Sequence, residues 1–303
     1  MVRARGLLEE SLALLRPAEA QRETAFALFF LGRTASRQGE YRQAKAHAES
    51  SLAIAREIGD RRGMALALSL SGVVASYLGE HAVSIAHTRE SLAIFREIGD
   101  QGETARMLNN LGNSIRAQGN LAEARPFILE SLAICRAIGN RGTMSYALNT
   151  LGDIVFDLGE YPEATARFEE SLAVSLEIGD PYLISHNHIE LGRIACALGD
   201  YSAARVRFHQ ALQTIGESRS EPLALAVLAG LAELAAKQGQ AERAVELLAH
   251  PVRDPATEQE DRVWMQRLLA ELARDLSAEA IAAALERGQA RDLNSVVEEL
   301  LTD

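Results

Sequence analysis

The sequence predicts an all-α chain, a right-handed superhelical solenoid of antiparallel helix pairs with capping helices at its C-terminal end. Three observations predict it. Gly32, Gly72, Gly112, Gly152 and Gly192 stand 40 residues apart, and Gly39, Gly79, Gly119, Gly159, Gly199 and Gly239 keep the same step seven residues behind them. Between the glycines, apolar residues recur at helical spacing, as from Met64 to Leu78 and from Thr143 to Leu158. Two glycine series with one period define a supersecondary unit that buries its apolar face by stacking on copies of itself.

Each unit reads as helix, short turn, helix, tight turn. The first glycine series falls inside the first helix, where glycine costs about 1 kcal/mol relative to alanine. A cost repeated at every unit implies that the neighbouring helix comes too close for a side chain. The second series ends the first helix as left-handed caps. Second helices begin near Tyr41, His81, Leu121, Tyr161 or Tyr201 and end in Ile58-Gly59-Asp60, Ile98-Gly99-Asp100, Ile138-Gly139-Asn140 or Ile178-Gly179-Asp180. Pairs are thus expected at 22–58, 62–98, 102–138, 142–178 and 182–218, with a weaker sixth at 222–250.

The ends depart from the period. Leu7 to Leu15 matches a second helix whose first helix is missing, because Ser11-Leu12-Ala13 precedes Ser51-Leu52-Ala53 by one period. Its exposed apolar face implies either a longer protein or a homo-oligomer joined through this half repeat. Pro251 to Glu258 is a polar connector, followed by a helix from Gln259 to Leu276 whose Trp264, Leu268, Leu269 and Leu272 form an apolar side. Ser277 is expected to cap a short helix that Gly288 ends, and Asn294 to cap a last helix through Leu301. Residues 1–250 therefore form the solenoid, and 251–303 a linker and capping helices that include Trp264.

Composition narrows the function classes. With 31 Lys and Arg against 42 Asp and Glu, the net charge of −11 repels phosphate backbones and anionic membranes. No basic stripe argues for direct nucleic-acid binding, and no segment reads as a secretion signal or a membrane span, so the expected compartment is the cytoplasm. Cys135 and Cys196 lie in amphipathic patterns and read as buried thiols. His186 and His188, two apart on a helix, share no face. Asp153 and Asp157 stand one turn apart without a nucleophile, metal ligand or oxyanion donor. A non-catalytic chain without cofactor or metal is expected.

A partner is expected in the groove lined by the first helices. Counting from each Leu-Gly pair places Phe29, Arg33 and Ser36, Ser69, Val73 and Ser76, Asn109, Asn113 and Arg116, Asn149, Asp153 and Phe156, and Ile189, Arg193 and Cys196 on that surface. One turn earlier come Phe26, Leu66, Arg106, Tyr146 and His186. Asn109, Asn113 and Asn149 offer donors and acceptors to the backbone of an extended peptide. Arg106, Arg116 and Arg193 suit a carboxylate or phosphate, or else pair with Asp153, Asp157 or Glu190. Tyr146, Phe156 and His186 would enclose a small molecule if the solenoid senses a metabolite, and self-association through the first residues would make it a scaffold.

Leu151, Gly152, Gly159, Tyr161, Ala164 and Phe168 resemble the tetratricopeptide signature. The 40-residue spacing is similar to that of the sensor regions of MalT-like bacterial regulators and of the scaffold LGN. Asn110-Leu111-Gly112-Asn113 resembles the peptide-binding Asn-Leu-Gly-Asn stretches of such repeats, although Leu70, Thr150 and Glu190 replace Asn110 in the neighbouring units. Leu276 to Leu285, with Gly288 and Leu293-Asn294-Ser295-Val296-Val297, resembles the closing segment of signal-transduction ATPase regulators, with Ile281 where an aromatic is usual. That resemblance implies a sensor or interaction region of a larger bacterial regulator, with an ATPase domain upstream.

Overall fold

A computed structural model describes Gly6 and residues 21–218, 220–254 and 259–302; the Met1–Leu15 half repeat lies outside the described residues except for Gly6. Among the described residues there are fifteen helices and no strand. Six pairs come first: α1 (Gln21–Arg37) with α2 (Tyr41–Glu57), α3 (Arg61–Tyr77) with α4 (His81–Glu97), α5 (Gln101–Arg116) with α6 (Leu121–Ile138), α7 (Arg141–Asp157) with α8 (Tyr161–Ile178), α9 (Pro181–Ala197) with α10 (Tyr201–Ser218), and α11 (Glu221–Lys237) with α12 (Ala241–Leu248). Then come α13 (Gln259–Leu272), α14 (Ala278–Gln289) and α15 (Leu293–Thr302). The chain divides into two compact units, Met1–Ile154 and Val155–Asp303.

In the first unit α1, α3 and α5 each pack on the second helix that follows, and α2 and α4 each pack on the next first helix. The turns inside pairs close as the glycines predict. Gly39, Gly79 and Gly119 have φ of 75°, 74° and 81°. Past them, the N–H groups of Glu40, Glu80 and Asn120 reach back to the carbonyls of Ala35, Ala75 and Ile115 at 2.9, 2.8 and 3.3 Å. Residues five apart can pair this way only if the chain reverses through a left-handed residue. Side chains cap the next first helices: the Gly63 N–H donates to Asp60 at 3.0 Å and the Glu103 N–H to Asp100 at 3.1 Å.

Close approach explains the mid-helix glycines. A Cβ on Gly112 would come within 2.4 Å of Ile128 Cδ1, so α6 rests directly on the α5 backbone. Beside that contact the Ser51, Ser91 and Ser131 hydroxyls, all buried, donate to the carbonyls of Ala25, Ala65 and Ala105 at 2.7, 2.8 and 2.7 Å. Each such bond contributes about 1 kcal/mol net and fixes the axial position of a second helix on its first.

The second unit uses the same parts on the same period: α11 starts 40 residues after α9, and α12 40 residues after α10. Phe208 of α10 is fully buried against two glycines: a Cβ on Gly192 of α9 would meet its ring at 2.7 Å, and one on Gly230 of α11 at 2.4 Å. Gly230 holds the position of Leu70, Asn110, Thr150 and Glu190, and Ala232 stands where the other units carry the mid-helix glycine. Here Asn187 supplies the cross-helix bond, donating to Ser171 Oγ at 3.0 Å and to the Leu183 carbonyl at 2.7 Å.

The capping helices close the core of this unit. Met265, Leu268, Leu272, Ala284 and Val296 share one apolar cluster with Leu228, Ala232, Val245 and Leu248. Ser277 caps α14 as expected, accepting from the Ala280 N–H at 3.2 Å. Three boundaries differ from expectation. The α13 helix stops at Leu272, and α14 runs through Gly288 to Gln289. Gly288 is there for closeness, since a Cβ would lie 2.3 Å from the Glu246 carbonyl oxygen. The cap of α15 is Asp292, which accepts from the Ser295 N–H at 3.1 Å, so Asn294 falls inside the helix.

Candidate functional site

The first unit carries most of the polar residues singled out in the sequence. Arg106, Asn109, Asn113 and Arg116 project from α5, and Tyr146, Asn149 and Asp153 from α7. Along α5 the series one after each Leu-Gly pair is the open one. Asn113 is exposed, whereas Asn109, two before Leu111, retains only 8% of its surface. The same holds for Asn149 at 8% and Ser69 at 2%. Ser69 meets Arg106 of the neighbouring first helix, and Asn109 and Asn149 are sunk in the same register, so the two asparagines edge the open face and do not stand upon it.

Asn109 Oδ1 is buried and has no hydrogen-bond partner. An acceptor shut from water without a donor costs about 1–3 kcal/mol. Around it the polar groups are already engaged. Arg106 binds the Glu103 carboxylate and donates to Ser69 Oγ at 3.2 Å. Arg116 donates to Asn113 Oδ1 at 3.3 Å. Tyr146, Asn149 and Asp153 also hold interactions of their own, and the Tyr146 ring is 41% exposed.

Phe26 and Arg33, which the sequence places on the groove, lie on α1 of the same unit. Arg33 Cζ sits 4.4 Å from the Phe30 ring centroid, and Phe26 packs edge-on against Phe30 at 4.6 Å. Partial desolvation, then the charges of Arg37 and Arg106, push the Arg33 pKa down, and Glu103 opposes them. Arg33, Arg37 and Arg106 thus stand close enough to feel one another's charge, with Glu103 opposing them.

Phe156, His186 and Arg193 belong to the second unit. Arg193 of α9 donates to both oxygens of Glu190, at 2.9 and 3.0 Å, and this pair is largely buried. Its guanidinium carbon lies 5.0 Å from the Phe156 centroid and 4.4 Å from that of Trp264 on α13. Trp264 thus packs on the Arg193 guanidinium as well as on the cap cluster. Phe156 also meets Tyr161 at 5.7 Å, and His186 tilts against Tyr182 at 6.0 Å. Nearby, burial raises the pKa of Glu233, with Arg193 and Lys237 opposing. Burial, aided by Glu233, pushes the Cys196 thiol up to about 12, and burial likewise raises that of Cys135. Both thiols are free and buried, as the sequence implied. Among the described residues no group of three or more His, Cys, Asp or Glu side chains is arranged to hold a metal ion, and no helix is long and apolar enough to cross a membrane.

Comparison with known proteins places this geometry. The sequence model of the tetratricopeptide repeat matches residues 103–177. That of anaphase-promoting complex subunit 5 matches 14–75 and 188–279, together about half the chain. No curated protein matches the chain in sequence. Among solved structures, a Rap protein complexed with Competence and Sporulation Factor superposes with a TM-score of 0.73 at 16% identity, over 97% of this chain and 80% of that one. The Rap conjugation gene regulator of plasmid pLS20, in complex with the Phr* peptide, gives 0.59 at 16%, over 95% and 75%. A signal-transduction ATPase with a tetratricopeptide repeat sensor, from Pyrococcus horikoshii, gives 0.59 at 17%, over 91% of this chain and 41% of that one. Identities this low speak for the fold alone.

Proposed function

Because the chain belongs to the helix-pair repeat proteins that the tetratricopeptide and subunit 5 sequence models describe, we propose that it is a non-catalytic recognition domain whose first unit binds an extended peptide or protein segment along α1, α3, α5 and α7. The carrying observation is Asn109 Oδ1, an acceptor held dry and without a donor at the edge of an open polar face. A peptide N–H is the donor it lacks, reached when the side chains that cover it move aside, and Arg106, Asn113 and Asn149 stand on the same helices to bond further backbone groups. Solved relatives support the reading: one of the Rap structures holds a Phr* peptide, and a signal-transduction ATPase carries such repeats as its sensor. In this chain the role is that of a sensor or interaction region in a larger bacterial signalling regulator, working in the cytoplasm.

The test is a peptide selected from a random library on the full chain, followed by anisotropy titration against Asn109→Leu. Leucine removes the acceptor at nearly constant volume, so the melting temperature should hold or rise. Affinity should fall at least about tenfold, the worth of one buried hydrogen bond. Unchanged affinity would remove Asn109 from the site. Failure of the library to yield any binder would sink the peptide reading itself.

A further inference from the structure

Arg33 and Arg193 occupy the same repeat position, four periods apart. Both hold a guanidinium against an aromatic ring, Phe30 in one unit and Phe156 in the other. They differ in what else they meet. Arg33 is exposed, whereas Arg193 is covered by a second ring that arrives from far along the chain, that of Trp264. Glu190 already neutralises Arg193 through two hydrogen bonds. The group that this position accepts is therefore a π face, with the guanidinium charge met beforehand. The occupant that shows this is a tryptophan carried on a helix.

We infer that Phe156 and Arg193 form a tryptophan-binding subsite on α9, that Trp264 fills it as a ligand built into the chain, and that a partner helix presenting a tryptophan enters by displacing the Trp264 ring. Leu268 and Leu272 of α13 are buried in the cluster below, so the helix has a second hold that remains when the ring leaves. Trp264 is then the exchangeable contact and the leucines the tether. This rests on the reading of the inner faces as recognition surfaces and concerns the second unit, while the peptide site proposed above lies wholly in the first.

Trp264 is the chain's one tryptophan, so its emission reports the seat directly. The experiment uses the full chain and a fluorescein-labelled peptide of residues 259–276. Trp264→Ala should bind the peptide at least about tenfold more tightly than the unsubstituted chain, because the subsite is vacated. Adding Arg193→Gln to Trp264→Ala should abolish that gain, and a peptide with alanine in place of its tryptophan should not bind. In the otherwise unsubstituted chain, Arg193→Gln alone should increase acrylamide quenching of Trp264 while helicity by circular dichroism is kept. Equal binding by the two chains, no binding to Trp264→Ala, or quenching indifferent to Arg193 would each overturn the inference. Any of these results, alongside intact binding of the library peptide, would leave the first-unit site standing; the converse pattern would leave only this one.

Discussion

His188 is the residue most exposed to a change of pH. It is buried on α9 with Nδ1 unpartnered, and burial, then the charge of Arg207, pulls its pKa from 6.5 to about 4. The unfolded chain therefore takes up this proton before the folded one does. Stability from His188 is full above about pH 6.5 and drains away as pH falls toward 4, by about 3 kcal/mol in all. Urea midpoints measured from pH 7.5 to pH 4.5 should fall for the natural chain, and fall distinctly less for His188→Leu. Parallel curves would show that His188 keeps an ordinary pKa in the fold. The two asparagines illustrate the limit of reading single residues from a period. Their type and helix were legible, but their depth was not, because burial at that register depends on how closely adjacent first helices approach. Trp264 was legible as an apolar residue of the cap. Its seat on Arg193 was not, since that contact joins residues across a stretch where the 40-residue pattern has ended.

At the scale of the element, the helix pair is set by what glycine permits. Gly112→Leu should cost about 1–3 kcal/mol by overpacking Ile128, offset only slightly by the better helix propensity of leucine. A lowered urea midpoint at unchanged slope would show it, and Ile128→Ala in the same chain should recover part of the loss. No recovery would mean that the strain lies elsewhere than in the Gly112–Ile128 contact. The pairs and both kinds of turn could be read in advance because each is local: a glycine, a cap and an apolar stripe within 40 residues. The fate of Gly288 could not. Its sequence surroundings fit a helix end, and only the backbone of α12 passing beside it makes it an interior residue. Asp292 and Asn294 are both competent caps, and the choice between them was made where α15 packs against the rest of its unit.

For the molecule as a whole, repeats that touch mainly their neighbours make stability a local quantity. The Gly112→Leu substitution should therefore unfold the first unit early. Far-ultraviolet circular dichroism should show a lowered or split transition, while the Trp264 emission midpoint, which reports the second unit, moves less. Coincident shifts by both probes would instead mark one cooperative block. Exposed ion pairs between successive second helices, such as Arg56–Glu90 at 3.3 Å and Arg89–Glu123 at 3.1 Å, should add little to either transition. The seat of Phe208 against Gly230, which stands where the other units carry Leu70, Asn110, Thr150 and Glu190, bears on how such a chain can change length by gene duplication. Inserting or deleting one 40-residue module between residues 60 and 180 would reproduce joints that already exist. A copy of residues 61–100 added after residue 220 would present the Leu70 side chain where Gly230 makes room for the Phe208 ring. Growth and loss are thus confined to the interior of the array, and the Phe208 joint acts as its fixed stop.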